Sequence, residues 1–321
     1  MRAISFLVFI VLQILFLPLA IVGAALVGYK QMVVSKRLRV SQTGIEVLNG
    51  RWTLDVFDIR KDPATVKLAS AIPNTSTFGL WLALFPLWLK YKISGTYFGY
   101  PRIPVRGHEK LADLMTARTP HFDRIIERGA ADVEQFVLMG AGYDTRAYGE
   151  LTRPGLRFFE LDQLATQKLK VETLAKAGID AAHVTFIPVD FSRERVFEKL
   201  RDFGYDPQKK TLFLWEGVTL YLSEDDVRKT LRDIRDHAAA GSVIVADFYG
   251  ERMLSVGSGT LGRKTLEYTD EGLRFGLPFA TDYEQTVQGF VESEGLELGE
   301  TVFMGHRSPS GPFVVVAELV V

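Results

Sequence analysis

The sequence has no cysteine among its 321 residues. This absence excludes disulfide bonds, thiolate metal sites and cysteine nucleophiles. An excess of one charge is also missing, because 38 basic residues face 39 acidic ones. No overall electrostatic attraction therefore indicates nucleic acid or an acidic partner. Repeats and low-complexity tracts are absent too, and the length suffices for one large domain or two small ones.

Charged residues are also missing from residues 4–28, where Gln13 is the only strongly polar member. As a helix this run is longer than the roughly 30 Å of a bilayer's hydrocarbon core. A cleaved signal peptide has a shorter apolar region, and a buried core helix is rarely apolar all round. We therefore expect a membrane anchor. Only Arg2 precedes the run, whereas several basic residues follow it, so the positive-inside rule predicts a single-pass protein with a cytoplasmic catalytic part.

A second apolar run, residues 78–89, is too short to span a bilayer. It contains Trp81 and Trp88 and precedes Lys90 and Lys92. Two interpretations stay open: a helix in the membrane interface with its tryptophans at headgroup depth, or a lid or core helix over the active site. Upstream of it, Asp62 followed by Pro63 is a good helix start.

Residues 109–128 form a helical pattern that Thr119-Pro120 is expected to interrupt, with Arg118 just before the break. The next stretch, residues 135–146, organises the rest of the chain. The apolar run 136–139 predicts a strand buried on both faces, and Gly140 and Gly142 allow a tight turn with close backbone approach to a ligand. Asp144 and Thr145 are predicted to cap a helix whose first turn is residues 146–150.

Acidic residues follow the later strands at regular places. Residues 156–161 predict a second strand, with Glu160 and Asp162 about 20 residues beyond the glycine turn, where a carboxylate can accept both hydroxyls of a ribose. Residues 184–189 predict a third strand, and Asp190 and Phe191 after it can contact an adenine. Each acid could instead only cap a helix. A fourth strand, residues 211–215, ends at Glu216, close in sequence to Tyr221.

The carboxyl-terminal part predicts a different strand arrangement. Residues 241–248 give a fifth strand, residues 283–295 a helix, and residues 296–303 and 313–320 two strands joined by a turn-rich loop. Strands joined in this way are antiparallel. We therefore predict an α/β fold: a Rossmann-like, seven-stranded sheet of the class I methyltransferase type with a terminal antiparallel hairpin, an amino-terminal transmembrane helix and a helical cap. The predicted domains are an anchor (1–30), a helical linker or cap (31–116) and a catalytic domain (117–321).

Four ordered motifs carry a family resemblance: Gly-Ala-Gly-Tyr-Asp-Thr-Arg at 140–146, Phe-Glu-Leu-Asp-Gln at 159–163, Val-Asp-Phe-Ser at 189–192 and Trp-Glu-Gly-Val-Thr-Leu-Tyr-Leu at 215–222. From about residue 117 onward the chain resembles the leucine carboxyl methyltransferase-like family, whose enzymes use S-adenosylmethionine and whose bacterial members include many of unassigned substrate. The resemblance does not cover the anchor or residues 40–111, so it says little about the substrate.

The resemblance implies a role for each matching residue. Arg118 matches the arginine that pairs with the methionine carboxylate of the cofactor, and Asp162 matches the ribose-binding acid, with Glu160 as the alternative from spacing alone. Asp190 and Phe191 would hold the adenine. The other implied cofactor contacts are Gly140, Ala141, Gly142, Asp144 and Glu216. Glu216 and Tyr221 are the candidate catalytic residues, placed near the sulfonium end of the cofactor; no metal site is predicted.

Methyl transfer to a carboxylate needs positioning and water exclusion but no general base. The leading hypothesis is therefore an O-methyltransferase at the membrane, acting on a small or lipid-like acceptor through a carboxylate or a hydroxyl. Two alternatives stay open: a nicotinamide-dependent oxidoreductase and a non-catalytic cofactor-binding scaffold. Thr145 argues against the oxidoreductase, because it replaces the third glycine of the dinucleotide-binding motif. Nucleic acid is not expected as a partner, and the sequence does not indicate an oligomeric state.

Overall fold

The computed structural model describes residues 2–254, 272–279 and 282–321, and side chains from residue 6 onward. The chain groups into two compact units. The amino-terminal unit comprises Met1–Ile103, Tyr143–Gly149 and Lys168–Ala181, and the sheet unit comprises Pro104–Gly142, Glu150–Gln167 and Ala182–Val321. The chain therefore leaves the sheet unit twice after first entering it. The domain limits given above stay a prediction.

The amino-terminal unit is helical. Its long first helix α1 (Arg2–Tyr29) continues through a π-helical turn (Lys30–Val34) into α2 (Ser35–Leu38), and α3 (Gln42–Val56), α4 (Pro63–Ala71) and α5 (Thr77–Ser94) follow. Polar side chains fix the helix starts: Ser41 accepts from Gly44 N at 2.9 Å, and Asp62 accepts from Thr65 N at 2.9 Å. The start predicted at Asp62-Pro63 is confirmed.

One helical stretch of the described residues, Phe6–Leu38, is long and apolar enough to cross a membrane, since it contains an 18-residue window with a mean hydropathy of 2.8. Buried core helices and signal sequences have the same composition, so this property alone is weak evidence. Only 11% of that window is buried, however, which disfavours the core helix.

The sheet unit contains a seven-stranded sheet of strand order β3-β2-β1-β4-β5-β7-β6. Strands β1 to β5 are parallel, and β7 pairs antiparallel with both β5 and β6. The predicted mixed sheet with a terminal hairpin is therefore confirmed. The strand bounds are β1 Gln135–Met139, β2 Arg157–Asp162, β3 Val184–Pro188, β4 Thr211–Trp215, β5 Val243–Tyr249, β6 Glu297–Met304 and β7 Val314–Val320.

Five α-helices after α5 are described, and all but α7 lie wholly within the sheet unit. The bounds are α6 Leu114–Ala130, α7 Leu164–Lys176, α8 Val196–Asp202, α9 Glu224–His237 and α10 Tyr283–Ser293, with 3-10 turns at Leu111–Asp113, Arg146–Tyr148 and Thr219–Tyr221. One face of the sheet packs Phe159, Phe213 and Phe248 with the side chains of α8, α9 and α10. These side chains form one buried hydrophobic core against that face of the sheet.

Two local expectations are wrong. Helix α6 continues through Pro120 instead of ending there. Proline removes one backbone hydrogen bond, and the buried face of α6, which includes Phe122 and Ile125, holds the helix across that loss. Residues 146–150 do not begin an α-helix either: the chain makes only a 3-10 turn, Arg146–Tyr148, before Gly149.

Candidate functional site

The glycine turn after β1 has the geometry that its sequence predicts. Gly140 and Gly142 adopt φ angles of 71° and 47°, and the backbone N–H groups of Gly140 and Ala141 donate to the carbonyl of Leu161 at 2.8 and 2.9 Å. A Cβ atom at Gly140 would lie 2.4 Å from Cγ2 of Val218. Only glycine fits there, because both the backbone conformation and the available space exclude a side chain.

Asp162 joins this turn to the end of β2. Its carboxylate accepts from the backbone N–H of Gly142 at 2.5 Å and from that of Gln163 at 2.6 Å. Glu160, two residues earlier, is 1% exposed. Asp162 is partly exposed, whereas Glu160 is buried, and the carboxylate of Asp162 contacts the glycine turn. The geometry therefore favours Asp162 over Glu160 for contact with a ligand above the turn.

The next strand ends in a polar turn. The carboxylate of Asp190 accepts from the backbone N–H of Ser192 at 3.0 Å and from its hydroxyl at 2.6 Å, and it lies 3.5 Å from Arg193 Nε. Phe191 packs partly against the core. Helix α8 begins only at Val196, so Asp190 stabilises a turn and does not cap the helix.

A buried ion cluster surrounds Arg118 in the middle of α6. Its Nη1 donates to Asp247 Oδ2 at 2.6 Å and to the hydroxyl of Tyr249 at 2.5 Å, and its Nη2 lies 3.1 Å from Glu216 Oε1. Asp247 also accepts from the backbone N–H of Gly217 at 2.8 Å. The Nε–H of Arg118 has no hydrogen-bond partner in the described part of the chain. The buried guanidinium therefore has one unpaired donor within the described part of the chain.

Burial and charge shift the pKa values in this cluster. Burial raises the pKa of the Asp247 carboxyl above its ordinary value, although Arg118 and the Gly217 N–H oppose the shift. Burial also raises the pKa of Tyr249 well above the ordinary value, so its phenol stays neutral. Burial would lower the pKa of Arg118, but Tyr249, Asp247 and Glu216 outweigh it and raise that pKa. The guanidinium is therefore charged at every relevant pH.

Asp247 and Tyr249 were missed in the reading of the sequence. Both lie on β5, in the run Val-Ile-Val-Ala-Asp-Phe-Tyr, and both are nearly fully buried. A carboxylate within such an apolar strand was the available signal, since a buried charge requires a partner. Tyr221, the predicted catalytic tyrosine, lies in the 3-10 turn Thr219–Tyr221, near enough to Tyr249 to influence its pKa.

Asp144 belongs to the amino-terminal unit, where it contacts two buried arginines. Its Oδ2 lies 2.7 Å from Arg51 Nη1 and 2.5 Å from Arg146 Nη1, and its Oδ1 accepts from the backbone N–H of Arg146 at 2.8 Å. Burial would raise the pKa of Asp144, but Arg146 and Arg51 outweigh it and hold that pKa well below its usual range. These contacts fix the loop that follows the glycine turn, and the cofactor role of Asp144 stays a prediction.

Thr145 is held within the same unit. Its hydroxyl bonds Asp62 Oδ2 at 2.9 Å and lies 2.7 Å from the hydroxyl of Thr65. It therefore does not cap a helix as expected. Among the residues that the structure describes, no three His, Asp or Glu side chains cluster as a metal site.

Parts of this chain are similar to a known protein family and to known relatives. A family model described as leucine carboxyl methyltransferase matches residues 102–235. A protein of Mycolicibacterium smegmatis, provisionally named an S-adenosyl-L-methionine-dependent methyltransferase, is 32% identical over 158 residues, which cover 49% of this chain and 53% of that protein. A protein of Mycolicibacterium gilvum with the same provisional name is 31% identical over 205 residues, covering 63% and 60%.

The chain thus spans little more than half the length of these curated relatives. A solved structure of a DUF574 family protein from Streptomyces avermitilis aligns with a TM-score of 0.47 and 15% identity, covering 65% of this chain and 84% of that one. The fold assignment therefore rests on the order and direction of the strands in this chain.

Proposed function

We propose that the chain is an S-adenosylmethionine-dependent methyltransferase, because residues 102–235 match a family model described as leucine carboxyl methyltransferase. The observation that carries the proposal is the contact between the Asp162 carboxylate and the Gly142 N–H at the carboxyl ends of β1 and β2. An acid beside a glycine turn at this edge of a parallel sheet is suited to a nucleoside whose ribose it can accept.

The proposed cofactor contacts follow the cofactor's own charges. Gly140, Ala141 and Gly142 would lie beneath its methionine part, and Asp162 would accept from the ribose hydroxyls. Asp190 and Phe191 would contact the adenine. Arg118 would pair with the methionine carboxylate of the cofactor through its unpaired Nε–H, while Asp247 and Glu216 hold the guanidinium in place. When bound, the cofactor supplies an electrophilic methyl group on a sulfonium.

The proposed reaction is O-methylation of a small or lipid-like acceptor, through a carboxylate or a hydroxyl. A carboxylate oxygen would form the new bond to the methyl carbon while the carbon–sulfur bond breaks and the sulfur becomes neutral, so no proton moves. Catalysis then depends on orientation and on exclusion of water. A hydroxyl acceptor would need a base. Tyr221 and Glu216 are the candidates for that role: Glu216 is engaged by Arg118, and Tyr221 would accept the proton only as a phenolate.

We also propose that α1 holds the chain at a membrane and that the sheet unit faces the cytoplasm. The support is the apolar, largely uncovered α1 and the basic residues that follow it. The anchor and catalytic limits predicted from the sequence (1–30 and 117–321) remain part of this proposal. A membrane location would bring a lipid-like acceptor within reach.

Calorimetric titration of the full chain in mild detergent tests the cofactor assignment. The wild type is expected to bind S-adenosylmethionine and not NAD. Asp162→Asn should weaken binding roughly ten- to a hundredfold, because the charge-assisted hydrogen bonds to the ribose are lost. Asp202→Asn is the matched control, since this exposed acid at the end of α8 should leave the affinity unchanged.

Binding of NAD by the wild type would overturn the family-based proposal in favour of an oxidoreductase. Binding of S-adenosylmethionine with equal affinity by both variants would remove Asp162 from the site. Tight binding without methyl transfer to any acceptor extracted from membranes would support a non-catalytic scaffold.

A further inference from the structure

Helix α1 contacts the rest of the amino-terminal unit through one narrow stripe. Its less exposed positions recur every three or four residues, from Phe9, which is 8% exposed, through Phe16 to the buried Gly23. This is the spacing of a seam between two packed helices. Most other side chains of α1 are apolar and uncovered: Leu7, Ile14, Leu15 and Ile21 are between 63% and 67% exposed. Such a large apolar surface requires a partner.

The helix on the other side of the seam is α5, which runs antiparallel to α1. Gly23 lies against Gly79 near the start of α5, and a Cβ atom at Gly23 would come within 2.4 Å of the Gly79 carbonyl oxygen. Phe16 stacks on Phe85 with ring centroids 5.1 Å apart. The rings of Phe9 and Phe98 have centroids 5.1 Å apart, and Phe98 lies just beyond the end of α5. The contact therefore extends along most of α1.

Helix α5 is in turn bound along its length to α3 and the residues beside it. At one end Thr75 lies 2.5 Å from Asn49 across a side-chain hydrogen bond. In the middle Trp81 meets Trp52 edge to face, with centroids 5.6 Å apart. At the other end Tyr91 packs on Phe57, and Lys92 pairs with Asp58.

Helix α3 is not a membrane helix. It carries Glu46, Arg51 and Asp55, and its Arg51 is paired with Asp144. Charged side chains cost several kcal/mol in the hydrocarbon core. If α1 crossed the bilayer with its contacts intact, α5 and α3 would have to enter the hydrocarbon beside it.

We propose that α1 does not cross the membrane but lies in the plane of one leaflet, with its uncovered face among the lipids and α5 behind it. The inference rests on the proposed membrane association and changes its geometry from spanning to single-leaflet. An in-plane helix of this kind buries its apolar face several ångströms into the headgroup and acyl boundary. Exposed Lys36 and Arg37 in α2, and Arg39 at its end, suit the anionic headgroups of the cytoplasmic leaflet.

Cysteine labelling tests this arrangement directly, because the chain has no cysteine of its own. One variant carries a single cysteine inserted between Met1 and Arg2, and the matched variant is Lys229→Cys on the exposed surface of α9. Each full-length variant is expressed in a bacterial host and treated with a membrane-impermeant maleimide. Labelling is compared between inside-out membrane vesicles and spheroplasts.

We expect both cysteines to be labelled to the same extent in inside-out vesicles and to be protected in spheroplasts. Labelling of the inserted cysteine in spheroplasts alone, with Lys229→Cys still labelled in inside-out vesicles, would mean that α1 crosses, and the inference would be wrong. Protection of the inserted cysteine from both sides would also contradict it, because an in-plane helix ends in water. Recovery of both variants in the soluble fraction would overturn membrane association itself.

Discussion

Asp247 fixes the position of the Arg118 guanidinium within the sheet unit. Its carboxylate accepts from Arg118, from the Tyr249 hydroxyl at 3.0 Å and from the Gly217 backbone, which ties α6, β5 and the turn after β4 together. Burial of this carboxylate is unfavourable by itself, as its raised pKa indicates. The paired state persists because Arg118 could not be buried alone.

Substitution of Asp247 should therefore destabilise the protein. Asp247→Ala leaves the buried guanidinium with Glu216 as its remaining acidic partner, and we expect the free energy of unfolding to fall by about 3 kcal/mol, the lower end of the range for breaking a buried ion pair. Denaturant unfolding in mild detergent measures this change. Asp202→Ala, on an exposed acid, should change stability by less than about 0.5 kcal/mol. Equal effects of the two variants would contradict the role of the cluster.

Asp62 gives the amino-terminal unit a dependence on pH. Burial raises its pKa, but Arg60 and the hydrogen bonds from Thr65 outweigh burial, so the folded pKa lies below the ordinary value of 3.8. A carboxyl group of this kind stabilises the fold above pH 3.8 and loses that contribution as the pH falls towards its folded pKa.

Asp62→Asn should therefore flatten the acid side of the stability profile. Thermal unfolding between about pH 6 and about pH 3 measures the profile. The wild type should lose more stability across this range than the variant, whereas Asp225→Asn, on an exposed acid, should follow the wild type. A variant profile as steep as that of the wild type would show that Asp62 does not contribute.

The sequence predicts single residues well where one local rule decides their conformation. Gly140 needs a positive φ and an empty space, and both requirements follow from a tight turn after a buried strand. The helix cap predicted at Asp144 and Thr145 was wrong, and their partners Arg51 and Asp62 lie more than 80 residues away in the sequence. No local sequence pattern indicates a contact between residues so far apart in the chain.

At the scale of elements, hydrophobic period and turn residues located most helices and strands. Pro120 shows the limit, because tertiary packing of α6 overrides a local helix breaker. The pairing of α1 with α5 was also outside what periodicity could show. A helix that is apolar all round carries no amphipathic signal to mark the face that packs.

Glycine makes the close approach of α1 and α5 possible. Gly23→Ala would place a Cβ atom 2.4 Å from the Gly79 carbonyl oxygen, so the helices must separate. We expect a loss of about 1–3 kcal/mol from this overpacking, seen as a lower thermal midpoint of tryptophan fluorescence in detergent.

Gly28→Ala is the matched control for that substitution, because nothing lies within 4 Å of a Cβ atom at Gly28. Both substitutions gain the same helix propensity of alanine over glycine, so the difference between them isolates the packing. A Gly23→Ala protein that is as stable as the Gly28→Ala protein would show that the seam is not closely packed.

At the scale of the whole molecule, the seven-stranded sheet and its terminal antiparallel hairpin follow from the sequence, because β2, β3 and β4 are each followed by a helix whereas a short turn-rich loop joins the last two strands. The grouping of residues into units does not follow. Tyr143–Gly149 and Lys168–Ala181 lie within the sequence of the predicted catalytic domain but pack with the amino-terminal helices. Linear boundaries could not show this interleaving.

The interleaving restricts how such a protein can be rearranged by gene fusion. Residues 104–321 do not contain all the partners of their own buried polar groups. Within them, Asp144 pairs with Arg51, and Thr145 bonds to Asp62 and Thr65. A recombinant that joined this stretch to an unrelated leader would leave a buried carboxylate without one of its arginines. Inheritance of the two parts is therefore linked, and exchange of the amino-terminal segment between relatives would succeed only where these partners are exchanged with it.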